Sequence, residues 1–364
     1  LNGRKERFPI SASSIIAAPR DAGYRAWIYL FLCSSVVSLF LLEMTSGSVE
    51  IPLRSVVSIL VGTEQSQSAW SAILFELRLP RAVTAMLAGA GLSLCGLQLQ
   101  TLFRNPLAGP WAMGITAGGQ VGAALVILAA GVAGPAFLRG LSGLADLSII
   151  AGSSLGSLGV MVIVLLAARR VNSITLLILG LMLQFMSQGL VSLMLHFTNS
   201  EMVKVYRSWN DANYGAVTWE RLVSLAPILI AGLLVTQLFA KPLNALLLGD
   251  NYARTVGTNV NRIRIGILAN VVIMAGAITA YCGAVSFLDI IVPQICRRLL
   301  TTSDHRWLIP ATVLAGATLG LLGDLLINLP WEQHFLHLNP VHALIGGPVV
   351  LWLIFARKSN LDLG

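Results

Sequence analysis

The chain has 364 residues, of which 56% are hydrophobic and 11% charged, and its mean hydropathy is +0.79. Soluble domains carry about 25% charged residues, so a soluble enzyme is excluded, and the net charge of +8 calls for no nucleic acid. The composition is that of an all-α polytopic membrane protein, because runs of about 20 apolar residues are what bilayer-crossing helices need.

Residues 1–26 are polar and basic and hold no apolar core of a signal sequence. They read as a cytoplasmic N-terminal segment rather than a cleavable leader. Residues 27–356 read as one transmembrane domain, and 357–364 as a cytoplasmic tail. Ten apolar segments are predicted within the domain: 27–42, 80–102, 113–131, 147–168, 174–197, 219–240, 264–282, 285–300, 308–327 and 339–356. The eighth is short and contains Pro293, which is tolerable where neighbouring protein covers the freed backbone groups. The cysteines, Cys33, Cys95, Cys282 and Cys296, lie in or beside these segments, and no CxxC pair occurs. No metal knuckle or disulfide framework is therefore expected.

Lysine and arginine set the orientation. With ten spans both termini share a side. The opposite side then keeps only Arg54, Arg78, Arg81, Arg139, Lys204, Arg207 and Arg221 of the 24 basic residues. That bias puts both termini in the cytoplasm and explains the net charge, with help from anionic lipid. Glycine pairs spaced as GxxxG, Gly114/Gly118, Gly152/Gly156 and Gly316/Gly320, predict close helix crossings. Residues 152–156, GSSLG, also match a nucleophile elbow around Ser154. An elbow needs a strand, a turn and a partnered histidine, whereas this one lies in a membrane helix.

Three blocks carry more than span-making. In 77–119, Arg78 and Arg81 flank Pro80, Gln98 and Gln100 follow, and 104-RNPLAGP-110 is a tight connection holding Asn105 and Pro106. In 241–264, Pro242 and Asn244 read as the start of a short helix. Leu246, Leu247, Ala253 and Val256 give it an apolar side, and Gly257 ends it. Such a helix cannot cross a membrane but can dock on a soluble partner. In 283–354, the carboxylate of Asp289 sits within an apolar run.

These blocks resemble the FecCD family, the permease subunits of bacterial ABC importers for iron-siderophores, haem and cobalamin. LRLPR at 77–81, QTLFRNPLAGP at 100–110, LGDNYARTVG at 248–257, Val292-Pro293 with Arg297, SDHR at 303–306 and ALIGGP at 343–348 keep the family's order from about residue 77 to 355. The resemblance implies ten helices, with helices 2–5 and 7–10 as two inverted repeats. It implies a dimer with a second permease copy or a paralogue, around a central pathway. It also implies two ATP-binding cassette subunits that hold ATP and Mg, and a periplasmic or lipoprotein substrate-binding protein. Residues 244–257 match the coupling helix that meets the ATPase, with Asn244, Leu247, Gly249, Asp250, Ala253, Arg254 and Gly257 as its contacts. Arg78 and Arg81 match the arginines that dock the binding protein. Gln100, Asn105, Pro106, Asp289, Pro293 and Gln294 fall on pathway or structural motifs. The chain has no GxxxxGK[ST], so it lacks a P-loop, and energy must come from the partner. No cofactor is expected in this chain. Asp250 and Arg254, four apart, are expected to pair on one helix face.

Where the family often has Leu-Pro before the turn between its ninth and tenth helices, this chain has Leu336-His337, and it departs at three further points. Asp289 replaces a glycine, Gln294 a histidine, and Asn328 an arginine that follows Asp324. Asp289 is expected to pair with Gln294 or an arginine, to hold a proton, or to line the pathway. Glu332, His334, His337 and His342 form a polar group near the last helix. Their spacing is compatible with a metal or haem contact and equally with an interfacial loop. Competing readings are an ion-coupled secondary transporter using Asp289 and Asp324, an intramembrane enzyme built on Ser154 or the histidines, and a receptor that moves nothing.

Overall fold

The structure is a computed structural model. It describes residues 22–47, 49–62, 68–140, 145–168, 170–171, 173–329 and 336–359, and of 22, 68, 130–140, 145–146, 173 and 349–359 the backbone alone. The described residues are helical almost throughout. Helix α1 is Ala22–Thr45, α2 Leu53–Val61 and α3 Ser68–Ala72. A π turn at Ile73–Arg78 leads into α4, Leu79–Phe103. Then come α5 Ile115–Gly140, α6 Ala145–Ala168, α7 Ser173–His196 and α8 Ser200–Asn210. After α9, Trp219–Leu238, two short helices follow, α10 Ala240–Leu247 and α11 Asp250–Thr255. The chain closes with α12 Val260–Cys282, α13 Leu288–Leu300, α14 His305–Asn328 and α15 Leu338–Ser359.

Among the described residues, seven helical stretches are long and apolar enough to cross a membrane: 23–45, 69–103, 147–168, 174–196, 219–238, 260–282 and 305–328. The second differs from expectation. It runs for 35 residues rather than starting at Pro80. Proline has no N–H, and its ring clashes with the carbonyl four residues back. The π turn directly before Pro80 widens the helix there and lets it continue.

Helix α4 is the centre of the bundle. Every residue from Ala88 to Phe103 is buried, against α9, α12, α13 and α14. Glycine makes this possible. A methyl group added at Gly89 would strike the Gly316 carbonyl, and one at Gly320 would strike that of Ala85. Helices α5 and α6 cross in the same way, Gly118 and Gly122 against Gly152 and Gly156. The expected pairs at 152/156 and 316/320 are thus contact points, with Gly89 and Gly122 as unforeseen partners. Gly114 is different: it turns the chain at φ +72° ahead of α5 and meets Gly180 on α7.

Two amphipathic helices escaped the sequence reading. Helix α2 buries Val56 and Ile59. Helix α8 starts at Asn199, whose side chain accepts from the Met202 N–H at 3.0 Å, and it buries Tyr206. Neither contains a long apolar run. On the outside, α7 exposes Ile178, Phe185, Met186 and Leu193, a surface fit for lipid or another apolar partner.

Candidate functional site

The Arg78 and Arg104 ends of α4 lie about 38 Å apart at 1.5 Å per residue, and each end carries a polar cluster. At the Arg104 end, α10 and α11 form a corner. The expected single helix over 244–257 is two helices, because Gly249 adopts φ +114° between them. The first begins at Ala240, so Asn244 lies inside it and does not cap it. Leu243, Leu246 and Ala253 are buried, whereas Leu248 and Val256 are exposed. Gly257, at φ +79°, ends the second helix as expected.

The expected Asp250–Arg254 pair does not form. Asp250 bridges Arg104 of the 104–110 connection at 3.2 Å and Arg264 of α12 at 3.3 Å, while Arg254 is exposed. Arg104 also donates to the Leu246 carbonyl at 3.2 Å. A cleft of about 930 Å³ opens beside this cluster, between Phe103, Pro106, Leu177 and Tyr252. Asn105 shapes the connection: its side chain accepts from the Leu107 N–H at 2.9 Å.

Helix α13 has only 13 residues and carries Pro293 inside it. Proline cannot donate to the carbonyl four residues back, which here belongs to Asp289. Gln100 of α4 supplies the missing donor. Its Nε2 donates to the Asp289 and Ile290 carbonyls, each at 3.2 Å. Gly96, one helical turn earlier, lets α4 come close enough, since a methyl there would land on the Asp289 backbone. Gln100 Oε1 in turn accepts from Gln294 at 2.7 Å and from Arg297 at 2.6 Å. Gln294 also donates to the Pro106 carbonyl at 3.4 Å. Gln100, Pro106, Asp289, Pro293 and Gln294 therefore form one assembly.

Asp289 does not pair with Gln294, whose donors are engaged elsewhere. Its side chain is 4% exposed and packs against Gly109, and its Oδ1 has no hydrogen-bond partner among the described residues. It stands in the first turn of α13, where free backbone N–H groups and the helix dipole favour a carboxylate.

At the other end, Arg78 is buried and donates to the carbonyls of Met44 and Val49. It ties the end of α1 to α4. Arg81 forms a two-pronged pair with Asp324 at 2.6 and 2.9 Å. Asp324 is fully buried and Arg81 is 24% exposed. Asn328, where the family has arginine, donates to the Asp324 carbonyl at 2.8 Å and to its carboxylate at 3.2 Å. Sequence reasoning missed Glu43 of α1. It is 4% exposed and faces Asp324, with no donor to either oxygen among the described residues.

The remaining candidates do not converge. Ser154 is exposed on α6 between two packing glycines. His337 lies 3.7 Å from Asp211, and His342 is buried beside Gly323. No metal-holding cluster occurs among the described residues; Glu332 and His334 lie outside them.

A glycine-packed helical bundle, with long apolar helices and a short helical corner at one end, defines an all-α polytopic membrane protein. The chain belongs to the FecCD transport family, whose description matches residues 35–356. It is 29% identical over 332 residues to the hemin transport system permease protein HmuU of Yersinia pestis, covering 91% of this chain and 96% of that protein. It is 33% identical over 292 residues to the vitamin B12 import system permease protein BtuC of Klebsiella pneumoniae, covering 79% and 83%. A solved ABC transporter of metal-chelate type, in an inward-facing conformation, has the same fold, with a TM-score of 0.78 and 24% identity over 91% of this chain and 99% of that one.

Proposed function

We propose that the chain is the permease subunit of an ATP-driven importer that carries an iron chelate (siderophore or haem) or cobalamin into the cytoplasm. Family membership supports the class, and the hemin and vitamin B12 relatives support the kind of cargo. The observation that carries the mechanism is the α10–α11 corner. It is too short to cross a membrane, exposes Leu248, Tyr252 and Val256, and is pinned to α4 and α12 through Asp250. Those features suit a contact that an ATPase subunit pulls on. Cargo is moved without chemical change, and ATP and Mg belong to the partner.

In this reading α1, α4–α7, α9 and α12–α15 are the ten spans, and α4–α7 and α12–α15 are the two inverted repeats of a common transporter plan. The α10–α11 end faces the cytoplasm together with both termini, as the lysine and arginine bias favours. Two permeases, this one and a copy or paralogue, enclose the pathway. The apolar face of α7 suits the lipid or the second subunit. A periplasmic or lipoprotein binding protein docks at the Arg81 end. Arg78 is buried and donates to two backbone carbonyls, so Arg81 is the arginine a partner carboxylate would reach. ATP shifts the outward and inward populations only by its different affinity for the two states.

The test is reconstitution in proteoliposomes with the partner ATPase and binding protein. Haemin, a ferric hydroxamate siderophore and cobalamin are offered in turn. The expected result is uptake of at least one that requires hydrolysable ATP. Uptake driven by a proton or sodium gradient without ATP would replace this reading with the ion-coupled one. The packing of Asp289 and the pairing of Asp324 do not favour that alternative.

A further inference from the structure

The corner at α10 is joined to the proline-containing helix α13 by an unbroken chain of side-chain hydrogen bonds that passes through α14 and α4. Asn244 of α10 begins it. Its Nδ2 donates to Asp304 at 2.6 Å, and its Oδ1 accepts from the backbone N–H of His305 at 2.9 Å and from His305 Nδ1 at 2.7 Å. All three bonds go to the start of α14, so α10 and that helix end must move together.

His305 is fully buried. An amide oxygen can only accept, so the ring proton sits on Nδ1. Nε2 then faces the Thr101 hydroxyl of α4 at 2.8 Å. That hydroxyl has one proton and two acceptors in reach, the other being the Leu97 carbonyl at 2.8 Å. It closes the chain when its proton points at Nε2 and opens it when the proton turns to that carbonyl. Arg297 of α13 spans the next step, donating to Gln100 at 2.6 Å and reaching Thr101 at 3.5 Å. Gln100 holds the first turn of α13 and Gln294, as described above.

We infer that Asn244 and His305 are positioning residues that transmit displacement of the α10–α11 corner through Thr101 and Arg297 to α13. The inference rests on the corner being the ATPase contact. Its physical basis is that the middle of the chain, Gln100, Thr101 and His305, is buried. Water cannot replace a lost partner there, so moving one end while the other stays would strand polar groups. Helix α13 is the natural receiver, because Pro293 leaves its backbone dependent on Gln100. Contiguity alone does not prove coupling, so the test measures coupling directly.

The complete transporter is assayed in proteoliposomes with whichever of the three probes above the wild type imports. The quantity is probe imported per ATP hydrolysed. Asn244→Ala and His305→Ala are expected to lower this ratio about ten-fold while hydrolysis itself persists, a size within reach of coupling residues. His305→Gln, which keeps polar atoms near Asn244 and Thr101, is expected to recover part of the loss. The double variant Asn244→Ala/Gln100→Asn is expected to do no worse than its worse single, as links in one series should. An unchanged ratio in Asn244→Ala, or losses that multiply in the double variant, would overturn the relay while leaving the importer reading intact. A wild type that imports none of the probes with ATP would sink that reading and the relay with it.

Discussion

Asp289 and Gly109 are an example of two residues that make sense only as a pair. A methyl group at Gly109 would run into the Asp289 carboxylate, so Gly109→Ala is expected to destabilise the protein by about 1–3 kcal/mol, the usual size of core overpacking. Asp289→Gly in the same chain should restore the loss, because it empties the space. The check is the apparent melting temperature of the detergent-solubilised protein for both singles and the double variant. Equal melting of Gly109→Ala and wild type would show that the carboxylate is free to move away. From the sequence, Asp289 was legible as an oddity but not as a packing partner. Nothing local to it announces Gly109 or Gln100, which are far away in the chain. The ion pair of Arg81 was illegible for a similar reason: its partner Asp324 lies on α14, far away in the chain, and is fully buried. Glu43 gave no signal at all, since one carboxylate near the end of an apolar segment looks like an interfacial residue.

Helices show the opposite balance. The apolar segments at 147–168, 174–197 and 264–282 lie within a few residues of α6, α7 and α12, because a run of about 20 apolar residues is a strong and local signal. The elements that escaped, α2, α8 and the extension of α4 back to Ser68, are short, amphipathic or interrupted by Glu76, Arg78 and Pro80. Residues 244–257 read as one helix from the sequence, since Gly249 was weighed only as part of a motif. At φ +114° it breaks the helix, in a region that side chains with a Cβ rarely adopt. Gly249→Ala is therefore expected to strain the corner by about 1–3 kcal/mol. The membrane helices should stay intact while co-purification with the ATPase subunit falls. Undiminished capture of the ATPase would mean that the bend is not part of the contact.

At the scale of the molecule, orientation was read from charge alone, and it yields a direct check. With the α10–α11 end in the cytoplasm, green fluorescent protein fused to the C-terminus should fluoresce in bacterial cells, since it folds poorly when exported in an unfolded state. A dark fusion with full-length expression would invert the topology. The bundle was also partly legible in its glycines, because close crossing needs small residues, though which helices cross is a property of the fold and not of any segment. The centre of the bundle has one more implication, for how the protein is made. Helix α4 emerges early in synthesis, carrying Gln98, Gln100 and Thr101 on a stretch that is wholly buried at the end. The partners of these side chains come much later: Thr236 on α9, Asn270 on α12, Gln294 and Arg297 on α13, and His305 on α14. Until then the nascent chain holds unsatisfied amides at membrane depth, where lipid offers them nothing. Biogenesis of this permease is thus a matter of custody: the insertion machinery has to shelter α4 until the second half of the chain arrives to claim it.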